Sequence, residues 1–96
     1  MIDINDFKQS INDAYPPAGL PSRVQALWHD GAGDWKKAHD LIDQETDKSS
    51  AHIHAYLHRK EGDLWNADYW YKRAGRIRPQ VSLAEEWNML VQEYLQ

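Results

Sequence analysis

Apolar positions recur along this chain at the three-to-four-residue spacing of amphipathic helices, and no segment alternates strictly as an exposed strand would. Phe7, Ile11 and Ala14 predict a helix from Asn5 to Tyr15, which the run Pro16-Pro17-Ala18-Gly19-Leu20-Pro21 must break. Ser22 can cap a helix running to about Asp30, with Val24, Leu27 and Trp28 as its stripe. Asp34 opens a further helix carrying Trp35, Ala38, Leu41 and Ile42, and the polar stretch Asp43 to Ser50 is its end and a loop. Ser49 or Ser50 caps a helix to about Glu61, with Ile53, Tyr56 and Leu57 inward. Asp63 begins the next, with Leu64, Ala67, Trp70, Tyr71 and Ala74, and Pro79 stops whatever follows Arg76. Ser82-Leu83-Ala84-Glu85 has the capping-box spacing, and Leu83, Trp87, Leu90, Val91, Tyr94 and Leu95 form one clean stripe behind it. The pattern predicts an all-α chain of about five to six helices.

Part of this pattern repeats. Gly33-Asp34 aligns with Gly62-Asp63 at an offset of 29 residues, and Ala26 then falls on Ala55, His29 on His58 and Ala38 on Ala67. In each copy a helix ends at a glycine that can take the left-handed geometry, and the aspartate after it can cap the next helix. The alanines let the two helices approach closely. Gly62-Asp63, Ala67, Tyr71, Ala74 and Pro79, with Ala55 seven residues before Gly62, stand at spacings that resemble the tetratricopeptide (TPR) repeat.

The copy from Ala51 to Pro79 fits this pattern well. The copy from Ser22 to Ser50 departs from it, with Glu45 in place of an alanine and Ser50 in place of a proline. The interval is also shorter than the usual period of about 34 residues, so the connection between units must be shorter. The segment from His54 to Gly75 also resembles a group of small bacterial proteins, a likeness that brings no activity with it. The resemblance implies antiparallel TPR-like helix pairs. The expected organisation is a single domain over 1–96: an N-terminal helix and Pro-rich connection in 1–21, two degenerate repeats in 22–79, and a capping helix in 80–96.

A chain of 96 residues has a modest core, so its five Trp and five Tyr must supply much of the burial. The absence of cysteine excludes disulfides and thiolate zinc sites. A net charge of −4 argues against a nucleic-acid partner, and no apolar run is long enough for a signal peptide or a membrane span. The expected setting is the cytoplasm. Gly-x-Ser-x-Gly, a phosphate-binding glycine loop and paired carboxylates are all missing, so no catalytic residue is assigned.

Three constellations remain. All five histidines fall between positions 29 and 58; His54 and His58 share a helix face at metal-ligand spacing, and His29 is the repeat equivalent of His58. They read either as a divalent-metal site of His29, His54 and His58, joined by Asp30 or Glu61, or as packing spacers or pH-sensitive groups; no other cofactor is expected. The TPR resemblance places His52, Tyr56, Arg59 and Lys60 on a concave groove, with Arg23 and Leu27 as the equivalents one repeat earlier. There Arg23, Arg59 and Lys60 could grip a carboxylate such as the acidic C-terminus of a peptide. Trp65 and Tyr69 lie four residues apart on a face other than the core stripe, an interface candidate that could support a homodimer. The leading expectation is a non-catalytic protein- or peptide-binding module using the first-helix face; the rival is a small-ligand or metal-binding protein.

Overall fold

The computed structural model describes residues 2–95 and contains six helices: α1 (Ile4–Ser10), α2 (Ser22–Gly31), α3 (Trp35–Ile42), α4 (Lys48–Glu61), α5 (Leu64–Arg73) and α6 (Leu83–Tyr94). Among the described residues there is no strand, and no helix is long and apolar enough to cross a membrane.

The two Gly-Asp turns work as their chemistry requires. Gly33 and Gly62 both sit at φ +90°, where a side chain would be strained. Behind them Asp34 accepts from the Lys37 amide at 3.0 Å and Asp63 from the Asn66 amide at 3.2 Å. Each turn joins two helices that pack along one another, α2 with α3 and α4 with α5. Ala26, Ala38, Ala55 and Ala67 are fully buried, so the small residues do permit close approach.

Several boundaries differ from the sequence reading. The first helix stops at Ser10 rather than Tyr15. The Ser10 hydroxyl turns back to the Phe7 carbonyl at 2.6 Å and also accepts from the Trp28 indole at 3.0 Å, an end-stop fixed by a partner on α2. Ser22 is the first residue of α2, not its cap, and Pro21 precedes it without a side-chain hydrogen bond. Asp47 caps α4 by accepting from the Ser50 amide at 3.0 Å, so neither Ser49 nor Ser50 does. Aspartate is among the best N-caps, and it stands one turn earlier. Ser82 caps α6 as expected, accepting from the Glu85 amide at 3.1 Å.

α6, expected as a cap over the open face of the last repeat, does not pack along α5. It folds back against α2 and α4 and buries Leu90, Val91 and Leu95 with Phe7, Val24, Leu27, Ile53 and Leu57 in the main core. Ala55, Ala67 and Tyr71 form a second cluster between α4 and α5. α2 meets α6 closely at Gly31. A Cβ at Gly31 would lie 2.8 Å from Ile11 Cδ1 and 2.9 Å from Trp87 Cζ2, and the Trp87 ring is held by its own indole bond to the Leu27 carbonyl at 2.9 Å. The substitution Gly31→Ala should therefore destabilise by roughly 1–2 kcal/mol despite the better helix propensity of alanine. Thermal unfolding followed by circular dichroism should show the midpoint falling by several degrees.

Candidate functional site

The five residues expected to line a groove all lie where α4 meets α2 and α6, and most have partners within the chain. The Arg59 guanidinium donates to Glu86 Oε1 at 2.8 Å and to the Val81 carbonyl. Glu86 is 1% exposed, and its other oxygen accepts from the Tyr71 hydroxyl at 2.6 Å. Tyr56 donates to Asp30 Oδ2 at 2.7 Å, and Lys60 donates to Asp30 Oδ1 at 2.9 Å. His52 shares a hydrogen bond with the Tyr94 hydroxyl at 2.8 Å. Arg23 is half-buried, with a buried Nε that has no hydrogen-bond partner. The carboxylates that Arg59 and Lys60 hold are thus the chain's own, and α6 covers this face.

Asp30 and Glu86 complete this polar core, and the sequence reading missed their part in it. Their signal is positional: Glu86 follows Leu83 by three residues and precedes Leu90 by four, while Asp30 follows Leu27 by three, so each interrupts an apolar stripe. Burial and the neighbouring carboxylates push the hydroxyls of Tyr56 and Tyr71 well above their ordinary range, which keeps both as donors.

Two clefts border this region. One, of about 600 Å³, is lined by Arg59, Lys72, Arg76 and Arg78 beside Asp68 and Tyr71. Three of its cations are paired: Arg59 with Glu86, Arg76 with Glu93 and Arg78 with Asp68. The other, of about 480 Å³, lies between Lys8, Ile11, Lys60, Leu83 and Trp87.

The histidines gather differently from the expected set. His54 and His58 are joined by His39 of α3, with one ring nitrogen from each lying within 4.8 Å of the others. His29 is not in this group; it sits half-buried with its ring edge-on to Trp28. The reason is the rotation of about 100° between successive residues of a helix. Tyr56 and Lys60 face Asp30 of α2, so His54 and His58 turn toward α3, where Trp35 and His39 stand. Nor is Asp30 near the cluster, since its oxygens hold Tyr56 and Lys60. Glu61 is near it: its carboxylate pairs with His58 Nδ1 at 2.5 Å.

Aromatic rings continue outward from the cluster. Trp35 stacks on His39 with centroids 5.0 Å apart, and Trp70 stacks on His54 at 4.0 Å. Trp70 meets Tyr69 edge-on at 5.3 Å, and Tyr69 stacks on Trp65 at 6.3 Å. Tyr69 and Trp65 are 45% and 78% exposed. The Arg73 guanidinium lies over both Tyr69 and Trp70, 5.8 and 5.3 Å from their centroids.

No protein-family model, curated protein or solved structure compared with the chain matches it.

Two predictions follow from the buried groups. Removal of the Glu86 carboxylate by Glu86→Ala takes from the Arg59 guanidinium its ion-pair partner and from the largely buried Tyr71 hydroxyl its acceptor, and should destabilise by about 3 kcal/mol in a urea titration. The second concerns pH. Burial above all lowers the pKa of both His52 and His54 from 6.5 to about 4; Arg76 lowers His52 further while Glu93 opposes it, and His39 and His58 lower His54 further while Asp43 opposes it. The folded state then binds fewer protons than the unfolded state between these values. Stability from these residues should be complete above about pH 6.5 and lost as pH falls toward 4, by on the order of 3 kcal/mol for each. Urea midpoints measured across this interval on metal-free protein should fall steadily with acidification.

Proposed function

We propose that the protein is a non-catalytic interaction module of the cytoplasm that associates through the outer face of α5, and that the partner this face fits is a second copy of the chain. The observation that carries this reading is the position of α5. It packs extensively against α4 alone, while its outward side holds Trp65 and Tyr69 stacked on one another in solvent, with Leu64 exposed beside them. In a row of stacked helix pairs this is the face on which the next pair would pack, and α6 has folded elsewhere.

Self-complementarity argues for a second copy. Tyr69 lies midway between Trp65 and Arg73, four residues from each. Two such helices crossing antiparallel about Tyr69 bring each Trp65 opposite Arg73 of the other copy, an arrangement that cation–π attraction favours. The same crossing sets the capping Asp63 at the start of α5 toward the basic end of the other copy's α5 at Lys72 and Arg73. Such a contact is small, and the dimer it gives is correspondingly weak. The TPR-like reading agrees with it, since solenoid ends need either a cap or a neighbour. A peptide with an acidic C-terminus fits less well, because its expected cations already hold Glu86 and Asp30.

Sedimentation velocity over a wide concentration range tests this. The native chain should show a concentration-dependent dimer. Trp65→Ala should raise its dissociation constant by about tenfold or more without changing the unfolding midpoint materially, since so exposed a side chain contributes little to the fold. A native chain that stays monomeric at millimolar concentration, or a dimer indifferent to Trp65→Ala, would overturn the proposal.

A further inference from the structure

We infer that His39, His54 and His58 form a binding site for one divalent transition-metal ion of the zinc class, bridging α3 and α4. Three observations carry this. First, His39 Nε2 and His54 Nε2 face each other at 3.0 Å, and a nitrogen of His58 lies within 4.8 Å of both. Tetrahedral zinc bonds of about 2.0–2.1 Å place neighbouring nitrogens about 3.3 Å apart, so the facing pair already has nearly the spacing of two ligands on one ion. The His58 ring sits at the rim, partly exposed, where a modest side-chain rotation brings it to the same point.

Second, hydrogen bonding alone does not account for the arrangement. His54 is 2% exposed, and its Nδ1 is buried without a partner. If His54 donates from Nε2 to His39, its Nδ1 is a bare acceptor with nothing to accept. If it accepts at Nε2, its Nδ1 carries an unpaired N–H. With both rings protonated at Nδ1, two Nε2 lone pairs face each other at 3.0 Å, and it is this facing pair, not the orphaned Nδ1, that a cation would relieve. Third, the surroundings are those of metal-bound imidazoles. Glu61 accepts from His58 Nδ1, which fixes the tautomer that leaves Nε2 free and raises its basicity. Asp43 lies 3.8 Å from His39 Nε2 at the end of α3, a carboxylate within reach of the fourth position. The indole planes of Trp35 and Trp70 stack on the His39 and His54 rings and hold their orientation.

All-imidazole donors select zinc, copper, nickel or cobalt over magnesium or calcium, which prefer oxygen. An ion here would tie the end of α3 to the middle of α4, two segments joined by a polar loop, and would fasten the first helix pair to the second. Trp70 and Tyr69 stand between this site and Trp65, so His39→Gln tests the metal and Trp65→Ala tests the dimer of the proposed function separately.

Untagged protein, stripped with chelator and titrated with zinc in a calorimeter, should bind one equivalent and gain in unfolding midpoint. Cobalt in place of zinc should give the intense visible absorption of a tetrahedral site, which a merely packed histidine cluster does not produce. His39→Gln and His58→Gln, both at the rim, should each weaken zinc binding at least 100-fold while the chain stays helical. Glu61→Gln should weaken it about 10- to 100-fold. His29→Ala should leave it unchanged. Absence of saturable binding to the native chain, cobalt spectra of an octahedral aquo-ion, or affinity unaltered in folded His39→Gln, His58→Gln double-variant protein would overturn the assignment.

Discussion

The carboxylate of Glu86 holds the end of the molecule together. A carboxyl group buried to this degree is tolerated only when its lone pairs are met, and here Arg59 of α4 and Tyr71 of α5 meet them from two helices at once. Arg59 also reaches the Val81 carbonyl just before α6 begins. The three groups fix the register of α6 against the second helix pair in a way that an apolar stripe alone would not, because leucine and valine contacts tolerate sliding whereas a two-point hydrogen-bonded carboxylate does not. Asp30 repeats the device on the other side, drawing Tyr56 and Lys60 of α4 onto α2.

That constraint decides which surfaces remain for function. By fixing α6 across α2 and α4, it closes the face that a solenoid would offer to a peptide, and it leaves the outer side of α5 open. It also sets the rotation of α4. With Tyr56 and Lys60 directed at α2, His54 and His58 must face α3, and His39 and Trp35 become their neighbours. The polar core and the histidine cluster are therefore consequences of one orientation of one helix.

The helix content and the turns were legible in the chain because their causes are local. A glycine at positive φ followed by a capping aspartate needs no distant partner to be recognised, and the buried alanines at positions 26, 38, 55 and 67 follow from the repeat that those turns define. Where a boundary depended on a contact, the sequence misled: Ser10 ends α1 with the help of Trp28, which lies 18 residues away. The exposure of Trp65 and Tyr69 was legible in kind, since two large aromatics off the core stripe of an edge helix have nowhere to be buried.

The site residues divide along the same line. Sequence alone determined the all-helical chain, the two Gly-Asp turns, the face shared by His54 and His58, and the aromatic pair on α5, because each depends on neighbours within about one turn of helix. Only the tertiary structure decided that His39 rather than His29 completes the histidine group, that Arg59 and Lys60 hold the chain's own carboxylates, and that α6 folds back instead of extending the row. Those outcomes depend on which way α4 is rotated and where α6 lands. Both are set by long-range partners, 27 residues apart for Arg59 and Glu86 and 26 for Tyr56 and Asp30, that no local pattern announces.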